Sequence, residues 1–160
     1  MIPKFNPYDT EVLSLVNSII LQHPVVHLRH EEVEQTMRLI QLEQALKSTN
    51  KLCVFPVTVY QEDQRLIELP DDDKFLALLL DADCRNMFLT YKRCRHCFGG
   101  TDYRWKKVAK RCELIELRSA TLEGEYGGRY LGRGWVITPY IQRLRKWMTD
   151  NNQVLTQQNS

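Results

Sequence analysis

Two cysteines in the second half of the chain have the spacing of a zinc knuckle. They stand in the run Cys94-Arg-His-Cys97-Phe-Gly-Gly100, where two intervening residues let both thiolates reach one tetrahedral ion and the glycines free the backbone behind them. A structural zinc site takes four ligands. Cys84 lies upstream of the pair, and Cys112 follows it at a ribbon-like spacing. The sequence therefore predicts one zinc ion held by Cys84, Cys94, Cys97 and Cys112.

The cysteines also have an interpretation without metal. Cys84 and Cys112 fall on apolar stripes of predicted helices, where free cysteine packs as a small hydrophobic residue. Cys112 has no C-x-x-C partner of its own, because position 115 is isoleucine. The five cysteines are an odd number, and the first residues lack the charged-then-apolar run of a secretory signal. We therefore expect thiols or metal ligands in a cytoplasmic protein, and not a disulfide framework.

Charge is divided unevenly along the chain. Residues 1–90 hold 8 lysines and arginines against 14 aspartates and glutamates, whereas residues 91–150 hold 14 against 6. The balances of −6 and +8 predict that the second half faces nucleic acid, with DNA as the expected target of a regulatory, non-enzymatic protein. The residues expected to contact it are Lys92, Arg93, Arg95, Arg104, Lys106, Lys107, Lys110, Arg111, Arg143, Arg145 and Lys146.

The uneven distribution of charge is also compatible with two roles that involve no nucleic acid. In the first, the acidic half neutralises the basic half inside one fold, and the charges serve the structure. In the second, the basic face docks an acidic protein partner, as in an adaptor or an accessory subunit. The acidic helical first half would then offer a further surface to a protein partner. The sequence is also compatible with an oligomer.

A glycine-rich stretch has a pattern found in acyltransferases. Arg129-Tyr-Leu-Gly132-Arg-Gly134 resembles the Arg/Gln-x-x-Gly-x-Gly loop of GNAT-type N-acyltransferases. In that family, glycines at a helix start expose backbone N–H groups to the coenzyme A pyrophosphate, and the resemblance implies the same here. Pro139, however, falls where the helix of that family is already under way. An acyltransferase is therefore a further alternative, beside a plain glycine-rich turn.

Other catalytic patterns are weak. Asp81 and Asp83 follow a run of leucines and could serve a divalent metal if that run were a strand. The run has no β-branched residue and follows three aspartates, so it predicts a helix on which the two carboxylates diverge. No Gly-x-Ser-x-Gly, Walker or kinase motif occurs. We expect no catalytic site.

Hydrophobic spacing and capping residues predict the helices and strands that position these residues. Apolar residues at helical spacing, acidic starts and a Thr-Pro start predict helices, and alternation of β-branched residues predicts strands. In chain order, we expect helices over 9–22 and 31–48, a hairpin from 52–60 and 65–69, a helix over 74–90, a helix from Thr101 through Ile115, glycine-rich turns from Glu123, a short strand ending at 135–137, and a helix from Thr138-Pro139.

Together these patterns predict one mainly helical α+β domain over residues 1–150, with a short β-hairpin and a zinc-knuckle-like cysteine cluster. Its acidic helical half is 1–90, its basic cysteine-bearing half is 91–150, and 151–160 is a flexible tail. The longest apolar run, over residues 75–80, is too short to span a membrane.

Overall fold

The computed structural model of the protein describes residues 4–24, 27–49, 66, 68–99, 103–123, 129–151 and 153. Within them the expected class is confirmed, because the fold is mainly helical with a small two-stranded antiparallel sheet. Most of the hairpin predicted from 52–60 and 65–69 lies outside this description, and so does most of the tail. The described end of the second predicted strand is a turn, in which the backbone N–H of Leu69 donates to the carbonyl of Leu66 at 3.1 Å. The elements are α1 Thr10–Gln22, α2 His30–Ser48, α3 Asp71–Cys84, α4 Tyr91–Cys97, α5 Arg104–Arg111, β1 Ile115–Glu123, β2 Arg129–Ile137 and α6 Pro139–Asp150.

The first two helices and the last lie where the sequence predicts them. Asp9 caps α1 by accepting a hydrogen bond from the backbone N–H of Glu11 at 2.9 Å. Thr138 caps α6 in the same way, with Pro139 at the first helical position. No helix within the described ranges is long and apolar enough to cross a membrane.

Helix α3 lies at the centre of the fold. Every residue from 74 to 82 is buried, and the helix packs against α2, α5 and β2. A helix that is apolar all round is typical of such a position. The predicted end at residue 90 is wrong, because α3 stops at Cys84 and Asn86 then turns the chain with a φ of 55°. Asparagine is one of the few residues that adopt this left-handed conformation readily.

The helix predicted from Thr101 through Ile115 is also wrong at its end. Helix α5 stops at Arg111, Cys112 is extended, and Ile115 opens β1. Strand β1 pairs with β2 in an antiparallel register that runs from Ile115 opposite Ile137 to Glu123 opposite Arg129. The observed hairpin therefore occupies part of the region in which the sequence predicted glycine-rich turns and only one short strand.

A close backbone contact attaches the segment between α3 and α4 to this sheet. Leu89 and Trp135 each donate a backbone N–H to the carbonyl of the other at 3.0 Å. A Cβ atom at Gly134 would lie 2.7 Å from the carbonyl oxygen of Leu89 and 2.7 Å from the Cβ of Phe88. The attachment therefore requires glycine at position 134.

We expect Gly134→Ala to lower the free energy of unfolding by about 1–3 kcal/mol, because the added methyl group must push the backbone of Leu89 away. Urea denaturation measures the loss. Ser119→Ala, at an exposed position of β1, is the control and should change stability by no more than about 0.5 kcal/mol. Equal stabilities of the two variants would contradict the contact.

Candidate nucleic-acid interface

Helices α4 and α5 carry most of the predicted contact residues. Thr90 caps α4, its hydroxyl oxygen accepting from the backbone N–H of Arg93 at 3.2 Å. Helix α5 buries Trp105 and Val108 and packs against α3. With so narrow a buried stripe, the rest of α5 faces outward. The exposed cations on α5 are Arg104, Lys106, Lys107, Lys110 and Arg111.

Arg93 is not on this exposed surface. Its side chain is buried, and one terminal nitrogen donates to Asp81 Oδ2 at 2.7 Å. Arg85 Nε donates to the same oxygen at 2.9 Å. A buried carboxylate needs such partners, because an unpaired charge in the interior is strongly destabilising. The sequence placed Arg93 among the phosphate contacts; the structure makes it an internal partner of Asp81.

Arginines at the two ends of α5 pair with the first turn of α3. Arg111 Nη2 lies 2.7 Å from Asp72 Oδ1, and Arg104 Nη1 lies 3.7 Å from Asp71 Oδ1. Asp71 and Asp72 belong to the acidic first half of the chain, and both arginines belong to the basic half. Part of the charge asymmetry is therefore matched within the fold. Both pairs are solvent-exposed, so each contributes little to stability.

The cations of α6 also differ in whether they pair with carboxylates of the fold. Arg145 is half-buried and bonds to Glu43 of α2 and, at 3.1 Å, to Asp83 of α3. Lys146 pairs with Asp150 one turn later, at 2.7 Å. Arg143 is exposed, and no described carboxylate pairs with it. Of the three cations predicted on this helix, Arg145 holds the fold together.

The lysines of α5 differ from these arginines. Lys106, Lys107 and Lys110 are exposed, and none of them forms an ion pair within the described ranges. The ammonium of Lys106 lies 4.5 Å from the ring centre of Tyr103 and 5.5 Å from that of Trp105. These are cation–π distances. Three cations of one short helix thus remain available to an anionic ligand.

Two exposed tyrosines adjoin these lysines. Tyr103, which precedes α5, is 63% exposed, and Tyr91, the first residue of α4, is 40% exposed. The Tyr91 ring packs on Trp105 at 5.2 Å between centroids and on Trp135 at 4.7 Å. Trp105 itself is buried, as the sequence predicted. We call the surface formed by Tyr91, Tyr103, Lys106, Lys107 and Lys110 the basic aromatic face.

Other predicted contacts lie around this face. Lys92 and Arg95 are exposed on α4. Arg104 also donates to the carbonyl of Phe98 at 3.2 Å, which ties the start of α5 to the end of α4. In the sequence both tyrosines open runs that interleave cations with aromatic residues, Tyr91-Lys-Arg and Tyr103-Arg-Trp-Lys-Lys. Neither tyrosine was among the predicted contact residues, because nothing in the sequence shows which aromatic rings stay exposed.

The cysteines occupy different environments. Cys94 and Cys97 are buried on α4, a regular helix, so the knuckle turn expected there is wrong. Cys84 is exposed at the end of α3, and Cys112 is half-buried after α5. Burial raises the pKa of the Cys112 thiol to about 12, which keeps it protonated at neutral pH. In the part of the chain that is described, no three histidine, cysteine or acidic side chains form a group that could hold a metal ion.

The stretch that resembles an acyltransferase loop is a strand in this fold. Residues 129–137 form β2, with Gly132 opposite Ala120 and Gly134 opposite Arg118 of β1. The implied loop would present its N–H groups to a pyrophosphate at the start of a helix. Here α6 begins only after the strand has ended. Gly134 therefore serves the contact of the sheet with Leu89, and Gly132 lies within the strand.

Comparisons of the chain with family profiles, curated proteins and solved structures found no match. The fold defines the protein as a mainly helical α+β protein whose internal ion pairs join its acidic and basic halves. Among the described residues, the basic aromatic face combines exposed lysines with exposed tyrosines.

We expect Arg93→Leu to lower the free energy of unfolding by about 3 kcal/mol, because the buried Asp81 loses its buried arginine partner. Arg95→Ala, two residues along the same helix and exposed, is the matched control and should change stability by no more than about 0.5 kcal/mol. Urea denaturation of both variants measures the difference. An Arg93 variant as stable as the wild type would show that this side chain is not an internal partner.

The zinc ion stays a prediction of the Cys94–Cys97 spacing. That spacing, with Cys84 and Cys112, predicts about one zinc per chain when protein purified without added metal is subjected to elemental analysis. Cys84→Ser should then lower the zinc content, because a closed site requires its fourth ligand. Folded protein without zinc would contradict the prediction and leave Cys94 and Cys97 as core residues.

Proposed function

We propose that the protein binds nucleic acid by placing the lysines of α5 against its phosphates. The observation that carries this proposal is the contrast along one helix. Lys106, Lys107 and Lys110 are exposed without a described carboxylate, whereas the arginines at both ends are held by α3. A cation already paired with a carboxylate must break that pair to bind a phosphate. The lysines carry no such cost.

The packing of α5 against the rest of the fold suits this role. Trp105 and Val108 anchor the helix to the buried helix α3, so the lysines project from a rigid element. A lysine ammonium is a point charge that binds phosphates without the fixed geometry of a guanidinium. Contacts of this kind position a protein on nucleic acid but do not identify a base. We therefore propose sequence-tolerant binding, dominated by charge.

The regulatory and adaptor roles expected from the sequence need surfaces beyond these lysines. A regulatory DNA-binding protein reads base edges, for which arginine is the commonest residue, and on α5 both arginines are paired with aspartates. An adaptor would dock an acidic protein on the same lysines. Helix α3 is buried along most of its length, and α2 buries eleven residues. This leaves less of the acidic half for a partner than its composition indicated.

Replacement of Lys106, Lys107 and Lys110 by alanine tests the proposal. We expect the triple variant to bind nucleic acid at least about tenfold more weakly in low salt. The slope of log affinity against log salt should shrink by about two to three, because three phosphate contacts no longer release counterions. Fluorescence anisotropy over a salt series measures both quantities. Stability should change little, since all three side chains are exposed.

A control triple, Lys4→Ala with Lys47→Ala and Arg133→Ala, removes the same charge from exposed positions outside α5. It should retain most of the affinity if the lysines of α5 are the contact. Equal losses in the two triples would show a general effect of net charge. Failure of the wild type to bind any nucleic acid at low salt would overturn the proposal and favour an acidic protein partner.

A further inference from the structure

The tyrosines of the basic aromatic face point to a narrower class of ligand. We infer that this face binds single-stranded nucleic acid, with an unpaired base stacked on Tyr103 and the adjoining phosphates on the lysines of α5. This inference rests on the proposed function and deepens it. It concerns the chemistry that single-stranded DNA and RNA share.

Tyr103 is exposed beside a cation. The residue is 63% exposed, although burial of an aromatic ring is among the largest hydrophobic gains available to a chain. One neighbour is the Lys106 ammonium, 4.5 Å from the ring centre. Proteins bind single strands by combining a positively charged groove with aromatic side chains on which bases stack. The cation also places a phosphate partner directly beside the stacked base.

The spacing along α5 aligns the ring with the lysines. Tyr103, Lys106, Lys107 and Lys110 are separated by three, four and seven positions, which lie on one side of a helix. The rise of about 1.5 Å per residue spreads them over roughly 10 Å. A strand that runs along the helix would meet an aromatic platform first and cations after it.

Tyr91 extends the platform beyond α5. It is 40% exposed, and its inner side packs on Trp105 at 5.2 Å. Trp105 also lies 5.5 Å from the Lys106 ammonium, so the buried Trp105 contacts both Tyr91 and Lys106. The packing on Trp105 restrains the Tyr91 ring. Its side chain would therefore lose less conformational entropy when a base stacks on it.

A duplex offers no free base face on which these rings could stack. Its base faces are stacked on one another, and only base edges and phosphates are open to a protein. The exposed tyrosines would contribute nothing to a purely phosphate-bound duplex. Single strands gain from both parts of the face, because every base has a face that can stack. We therefore expect tighter binding to single strands than to a duplex.

Tyr103→Ala separates this inference from the proposed function. Labelled oligothymidylate, oligouridylate and a mixed-sequence duplex of equal length serve as probes in fluorescence anisotropy. The substitution should weaken binding of a single strand roughly 5- to 100-fold, with duplex binding and the salt slope unchanged, because tyrosine carries no charge. Tyr103→Phe keeps the stacking ring and should bind like the wild type.

Tyr8→Ala is the matched control, since Tyr8 is also highly exposed but precedes α1. It should bind every probe like the wild type. If the lysine triple weakens binding while Tyr103→Ala does not, the inference fails and the proposed function stands. If the wild type prefers the duplex, the inference fails as well. If no probe binds at low salt, both fail.

Discussion

A helix buried on every side can carry carboxylates only where cations reach them, and α3 is such a helix. Asp73 receives two hydrogen bonds from the buried Arg38, at 2.9 and 2.6 Å. Asp81 is closed in by Arg85 and Arg93. Partners from α2, α4, α5 and α6 converge on this one helix. The buried pairs with Arg38 and Arg93 therefore help to fix how α2 and α4 lie against α3.

This constraint divides the cations of the second half into two kinds. The described ion pairs to α3 are made by arginine, whose planar guanidinium can meet carboxylates with several donors at once. The cations left unpaired on α5 are lysines, which are strongly hydrated point charges and suit an exposed position. Composition alone shows only their sum. The fold shows which charges hold it together and which are available to a ligand.

How far the sequence predicts the structure depends on whether the signal is local. Asp9 and Thr138 mark the starts of α1 and α6 because capping uses residues only two or three positions away. The end of α3 was missed because a helix that is apolar all round has no periodic stripe whose loss marks its end. Strand β1 was missed because Ile115 continues the apolar spacing of Trp105 and Val108.

The candidate site was predictable only in part for the same reason. Local composition identified the lysines of α5 as exposed cations, since their neighbours Trp105 and Val108 define the buried stripe. It could not show that Lys107 is exposed whereas Arg93 is buried. Arg93 is buried as the partner of Asp81, and nothing in the sequence pairs Arg93 with Asp81. The buried positions of Cys94 and Cys97 likewise depend on how α4 packs.

The contact between Arg145 and Glu43 has a consequence for folding during synthesis on the ribosome. The two residues are 102 positions apart, and Arg145 also reaches Asp83 of α3. At typical rates of synthesis, roughly 5 to 20 s pass between the addition of Glu43 and that of Arg145. During this interval the surface of α2 that packs against α6 is uncovered. Apolar surface left uncovered in a nascent chain favours aggregation and chaperone binding.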